Sequence, residues 1–160
     1  MITATRYHDF SYGHRVCGHE NKCAHIHGHN GRVTFTCEAE HLDDLGRVLD
    51  FGVINTRLCQ WVEHEWDHKF LAYDQDPIMQ RVDTTLFAMP GANPDGVYVA
   101  DSDEARAQAS VVWLPFNPTA ENLADHLLRI VGPVQLQGTG VRLIRVIFEE
   151  TRKCSAEASL

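Results

Sequence analysis

Three histidines and a cysteine fall within seven residues of the chain, in the stretch CAHIHGH from Cys23 to His29. Imidazole nitrogen and thiolate sulfur are the ligands that zinc favours. His27 and His29 lie two apart, so extended backbone sends both side chains to one side, and Gly28 between them leaves room for a bound ion. Two imidazoles supply half of a tetrahedral shell. His14, in FSYGH at the end of the first β-rich stretch, is the expected third ligand, because an adjacent antiparallel strand would bring it beside the pair. Three neutral imidazoles with an open fourth position describe a site that binds or transforms a ligand better than a closed structural one. His25 is also two residues from His27, and His19 crowds the same loop. Spacing alone leaves both as competing ligands.

Other groups add acid–base chemistry. Cys23 can act as nucleophile or general base where a nearby cation lowers its thiol pKa from the free value of about 8.5. Asp67-His68 sets an acid beside an imidazole at the end of a helical pattern. Sequence neighbours pair poorly with each other, so each is expected to reach a third group, a carboxylate fixing the tautomer of a proton-shuttling His68. Glu149 and Glu150 end the last β-rich run and face opposite ways by parity. One is expected in solvent and the other in a pocket, where a carboxylate can accept paired N–H donors from an amidine-like heterocycle. Parity does not say which.

The elements that must position these groups are short. Residues 32–39 alternate Val33, Phe35 and Cys37 against Thr34 and Thr36, the period of a strand. Residues 2–10 alternate more loosely, and FSYGH is expected to turn into the Gly/His-rich loop. Val53, Ile54, Leu58, Trp61, Val62 and Trp66 form a helical stripe with Asp50 as N-cap, ending at the Trp66-Asp67-His68 corner. A second helix starts at Thr119, buries Leu123, Leu127, Leu128 and Val131, and is expected to stop at Gly132-Pro133. Residues 141–148 are a further β run, with Val141, Leu143, Arg145 and Ile147 on one face and Arg142, Ile144, Val146 and Phe148 on the other. Both faces are largely apolar, so each needs a cover, and subunit packing is the expected cover of one. Residues 75–115 hold turns at PGANPDG, a polar SDEARAQA and a brief strand-like VVWL. These elements predict a single α+β domain over residues 1–160, a small sheet with helices on one face.

The totals narrow the function. A chain of 160 residues, 44% hydrophobic and 22% charged, can bury one ordinary core. Its five cysteines are odd in number and scattered, with no CxxC pair, and are expected to be reduced thiols. A net charge of -8, from 14 Lys+Arg against 22 Asp+Glu, lacks the basic footprint of nucleic-acid binding. Without an apolar run of about 18 residues or a leader pattern, no membrane span is expected and the cytoplasm is the expected location.

Laid out together, FSYGHRV, CAHIHGHNGRV, VLDFGVI, WDHKFL, NPTAENLA and FEET resemble the 6-pyruvoyltetrahydropterin synthase / 6-carboxytetrahydropterin synthase family, over Phe10 to Thr151. The resemblance implies Zn2+ on His14, His27 and His29, a proton-abstracting thiolate at Cys23, and Asp67 and His68 as the other catalytic members. It implies a pterin anchor at Glu150, with Thr119, Ala120 and Glu121 lining the pterin pocket. The Cys-x-x-x-His-Gly-His spacing is similar to the carboxy branch. That branch is a lyase acting on 7,8-dihydroneopterin triphosphate, early on the route to queuosine and other 7-deazapurines, and releasing acetaldehyde. The alternatives are 6-pyruvoyl elimination or retro-aldol cleavage on the same scaffold, or a non-catalytic zinc-stabilised pterin-binding oligomer. The implied fold is the tunnelling (T-) fold: a four-stranded antiparallel sheet with two helices on one face, three subunits closing a twelve-stranded barrel, and two trimers stacking as a homo-hexamer. Lys22, Arg32 and Lys69 are candidates for the triphosphate.

Overall fold

The computed structural model of the protein describes residues 2–87 and 109–160. Its centre is a pair of long antiparallel strands, β1 (Thr3–His14) and β2 (His27–Ala39), in continuous register from Thr3↔Glu38 to His14↔His27. FSYGH is therefore strand rather than turn. Phe10, Tyr12 and His14 continue the buried face, and Gly13 sits opposite Gly28 across the pair. Glycine weakens a strand signal without preventing the strand where neighbours approach closely, and a Cβ on Gly13 would lie 2.8 Å from the Phe70 ring.

Four more strands complete one sheet: β3 (Lys69–Tyr73), β4 (Val111–Leu114), β5 (Val141–Thr151) and β6 (Cys154–Ser159), in the order β4-β3-β1-β2-β5-β6. β1, β2, β5 and β6 pair antiparallel, whereas β3 runs parallel to the end of β1 and β4 parallel to β3. The expected four-stranded antiparallel sheet is thus the larger part of a six-stranded mixed one. VVWL is a strand, but on the far edge, and residues 48–51 lead into a helix. The fourth antiparallel strand is β6, which pairs with β5 on the side away from β2 and whose CSAEAS sequence has neither branched nor aromatic residues to announce it.

Helix α1 spans residues 51–65, α-helical over Phe51–Ile54 and Gln60–Glu65 around a π turn at Asn55–Cys59. Asp50 caps it by accepting from Gly52 N–H at 2.7 Å. Helix α2 (Pro77–Phe87), which the sequence pattern did not show, is capped by Asp76, which accepts from Ile78 N–H at 2.9 Å. The expected turns at 90–96 and most of the polar run at 102–109 lie outside the described residues. Helix α3 spans residues 120–135, and Thr119 Oγ1 accepts from Asn122 N–H at 3.3 Å. It does not stop at Gly132-Pro133. A π turn over Leu127–Val131 makes Gly132 N–H reach back to the Leu127 carbonyl, so the ladder has already shifted where Pro133 has no N–H to give. Gly132 lets α3 press on the sheet, since a Cβ there would lie 2.6 Å from Leu143 Cδ2.

α1 and α3 cover one sheet face. Ile54, Leu58, Val62, Leu123, Leu127 and Leu128 join Phe10, Val33, Phe35, Val146 and Phe148 in one core. The strict alternation expected of β5 is corrected by a bulge. Thr36 pairs with Arg145 and Cys37 with Leu143, leaving Ile144 unmatched, so Val141 and Leu143 before it and Val146 and Phe148 after it all face the core. The other face is polar, not apolar. It carries Asp9 with Arg32, Arg145 with Glu157 and Arg142 with Glu38. The same parity puts Glu150 after Phe148 on the helix-covered face. No helix among the described residues is long and apolar enough to cross a membrane.

Candidate active site

The register of β1 and β2 gathers the histidines. His14 stands opposite His27, and Tyr12 opposite His29, on the core face at the end of the sheet. The ligand nitrogens of His14, His27 and His29 all lie within 4.8 Å of one another. His14 Nδ1 lies 2.7 Å from the Pro118 carbonyl and His27 Nδ1 lies 2.8 Å from the His25 carbonyl. A carbonyl can only accept, so both rings donate from Nδ1 and present a bare lone pair at Nε2. Those two Nε2 atoms are 3.1 Å apart, and His29 Nε2 is buried without a partner. Burial holds His14 neutral, pushing its pKa down to about 4 against the opposing pull of the Pro118 carbonyl, and burial also lowers His29. Inward lone pairs at that separation repel one another and suit a shared cation. The residues therefore fit zinc, with each second nitrogen of His14 and His27 oriented by backbone as metal-site histidines are.

The competition with His25 ends here. β2 begins at His27, so two-residue parity does not reach back to the exposed His25, which contributes only its carbonyl. His19 turns away and accepts from Asn21 N–H through Nδ1.

Glu150 Oε1 lies 3.8 Å from His14 Nε2. Burial raises its carboxyl above the usual range, His27 opposes that, and Glu121 adds to it. Thr119, Ala120 and Glu121 open α3 directly after the Pro118 carbonyl that holds His14. Asn117, which sequence reasoning missed, pins this segment by donating to the Cys17 carbonyl and accepting from Cys17 N–H, both at 2.8 Å. Only its place before Pro-Thr could have drawn notice. Tyr12, also missed, is buried with its ring 5.2 Å from His14 and 5.6 Å from His29.

Cys23 lies apart, half-buried on a 3-10 turn, Lys22–Ala24, with its carbonyl accepting from Val16 N–H at 2.7 Å. Asp67 and His68 sit at the other side of β1. Contrary to the expectation for sequence neighbours, they bond to each other, His68 Nδ1 to Asp67 Oδ2 at 2.6 Å. The backbone explains it: His68 has φ 56, a left-handed conformation that folds its ring back over Asp67. Asp67 Oδ1 also accepts from Ser11 N–H at 2.8 Å. Burial works to raise the Asp67 carboxyl, but the Ser11 N–H and the His68 ring together hold it below the usual value. Both residues line a hollow of about 880 Å³ with Asp9, Arg32, Glu149 and Arg152. No hydrogen bond or ion pair among the described residues joins Cys23 to Asp67 or His68. Of the expected triphosphate cations, Arg32 grips Asp9 at 2.6 and 2.9 Å and Lys69 donates to the His64 carbonyl at 2.6 Å.

The protein resembles known proteins over nearly its full length. The family model described as 6-pyruvoyl tetrahydropterin synthase matches residues 3–159. A Rickettsia bellii protein named 6-carboxy-5,6,7,8-tetrahydropterin synthase is 32% identical, over 98% of this chain and 99% of that protein. An uncharacterised protein from Wolinella succinogenes superposes with a TM-score of 0.79 at 27% identity, covering 99% of this chain and 97% of that one. The Caenorhabditis elegans 6-pyruvoyl tetrahydropterin synthase shares the fold, with a TM-score of 0.60 at 19% identity over 99% of this chain and 95% of that one. The histidine cluster, its register and the full-length match agree: the protein belongs to the 6-pyruvoyl tetrahydropterin synthase family of enzymes.

Proposed function

We propose that the protein is a zinc-dependent lyase that converts 7,8-dihydroneopterin triphosphate, with one water, to 6-carboxy-5,6,7,8-tetrahydropterin, acetaldehyde and triphosphate. The observation that carries this reading is the convergence of three imidazoles on one point beside a half-buried carboxylate, Glu150. The name borne by the Rickettsia bellii relative favours the carboxy product.

Zinc held by His14, His27 and His29 would supply Lewis-acid polarisation of the substrate's side-chain oxygens. The Pro118 and His25 carbonyls keep the His14 and His27 rings in the right tautomer. Glu150 accepts paired N–H donors from the pterin ring, fixing the ring's orientation in the pocket, and Thr119, Ala120 and Glu121 line that end of it. Cys23 as thiolate removes a carbon-bound proton from the substrate's side chain. His68, its Nδ1 oriented by Asp67, offers Nε2 to carry protons to and from the substrate. In this reading, as the family resemblance implies, Cys23 and Asp67-His68 meet from neighbouring subunits of a homo-hexamer, two stacked trimers of one-domain subunits over residues 1–160. The enzyme serves the cytoplasmic route to 7-deazapurines such as queuosine.

The test is product analysis. Zinc-loaded protein with 7,8-dihydroneopterin triphosphate should give 6-carboxy-5,6,7,8-tetrahydropterin by chromatography and mass spectrometry, with trapped acetaldehyde in equal amount. A pterin that keeps its three-carbon side chain would move the assignment to 6-pyruvoyl elimination, and a 6-hydroxymethyl pterin to retro-aldol cleavage. Recovery of unchanged substrate would contradict the lyase reading.

A further inference from the structure

The residue after His14 carries a buried charge that the proposed chemistry does not use. Arg15 is 7% exposed and Asp76 is fully buried. Arg15 Nη1 donates to both Asp76 oxygens, at 2.6 and 2.5 Å, while Arg15 Nε donates to the Ala24 carbonyl at 2.9 Å. Next in sequence, Val16 N–H donates to the Cys23 carbonyl at 2.7 Å. The two carbonyls that end the Cys23 turn are thus held by the two residues that leave His14. Asp76 is itself fixed, because Oδ1 also accepts from Ile78 and Met79 N–H in the first turn of α2.

A buried ion pair is weak evidence of a stabilising purpose, since apolar residues of similar volume commonly replace one at no loss. An apolar pair could not hold the Ala24 carbonyl. The rigid guanidinium plane reaches a carboxylate through Nη1 and a carbonyl through Nε at once, which a lysine ammonium on a flexible stem does not reproduce. We propose that Arg15 is a positioning residue for the Cys23 thiol, locking its turn to the end of β1 that bears His14, with Asp76 holding Arg15 in place. This rests on the reading of Cys23 as the proton-abstracting group. Arg15 never touches substrate. Its effect falls on the placement of the sulfur, and a misplacement of about 1 Å can slow a reaction roughly 100-fold.

The experiment compares R15K, D76N and C23A with wild type, as full-length zinc-loaded protein turning over 7,8-dihydroneopterin triphosphate. R15K keeps a charge for Asp76 and removes only the fork, and D76N keeps an acceptor for the α2 cap. We expect kcat to fall about 10- to 100-fold in R15K, with KM and zinc content unchanged and amide exchange faster over residues 15–25. D76N should follow in the same direction, and R15K carries the test where D76N does not fold. Wild-type kcat in R15K, a fall without faster exchange, or loss of zinc together with a raised KM would each overturn the positioning role. C23A separates the two claims. If C23A turns over normally, the assignment of Cys23 fails; if C23A is inactive while R15K is normal, the inference about Arg15 alone fails.

Discussion

The histidine cluster is gathered from two strands and the Asp67-His68 corner from two sequence neighbours, and they are held in opposite ways. His14 is 1% exposed, its ring fixed by a strand, a facing strand and a carbonyl from the start of α3. The His68 side chain is 81% exposed, bound to its own neighbour and held in a left-handed backbone conformation. The first arrangement is complete within one subunit. The second is an oriented imidazole facing open space, its left-handed backbone being the kind of local strain that proteins keep at functional sites. The contrast teaches that metal binding and proton transfer need different degrees of closure: a ligand set must be rigid before the ion arrives, whereas a proton donor need only be aimed until a further surface covers it.

Removing a ligand breaks the closed half. H27A should lose zinc, read by elemental analysis, and turnover should fall to background. Zinc retained at one per subunit would contradict the ligand set. On the open half, H68G should lower kcat by about 100- to 10,000-fold, the range of a general acid–base group, with zinc intact. Its melting temperature should hold or rise, since glycine adopts positive φ freely and relieves strain of about 1 kcal/mol or more. A marked fall in melting temperature would show that the His68–Asp67 bond matters more to the fold than to the chemistry.

Smaller effects sharpen the comparison. E150Q removes a charge-assisted bond worth roughly 1.5–3 kcal/mol, so pterin binding to the zinc-loaded protein, measured by calorimetry, should weaken about 10- to 100-fold. Equal binding would place the pterin elsewhere. In metal-free protein, His14 stays neutral to about 4 whereas an unfolded histidine takes its proton near 6.5. The unfolded state binds more protons between those values, so stability is full above about 6.5 and declines as pH falls toward 4. Thermal melts of metal-free protein across that range should show the decline, and H14Q should flatten it.

The cluster was legible in part, because parity and antiparallel pairing are local rules: His27, Gly28 and His29 share one strand and His14 ends its neighbour, but parity left His25 in competition until the start of β2 at His27 set it outside the strand. The capped starts at Asp50 and Thr119 were legible for the same reason. What the sequence hid was set at a distance. The bulge at Ile144 reverses the face of every later residue in β5 and so places Glu150 in the site, but only the pairing with Thr36 and Cys37 reveals it. Asp76 and Asn117 have ordinary sequence surroundings, and their partners lie 61 and 100 residues away. Gly132-Pro133 carried a stop signal that a preceding π turn overrides.

The central claim is that each subunit holds two half-sites which assembly joins, and subunit mixing tests it most directly. C23A and H68G, each inactive alone, would be co-refolded with zinc in equal amounts, and mixed oligomers verified by native mass spectrometry. Turnover returning to roughly a quarter of the wild-type value, the share of sites that random assembly leaves intact in a symmetric oligomer, is the predicted result. Mixed oligomers that remain inactive would place Cys23 and His68 in one subunit's site and contradict the account.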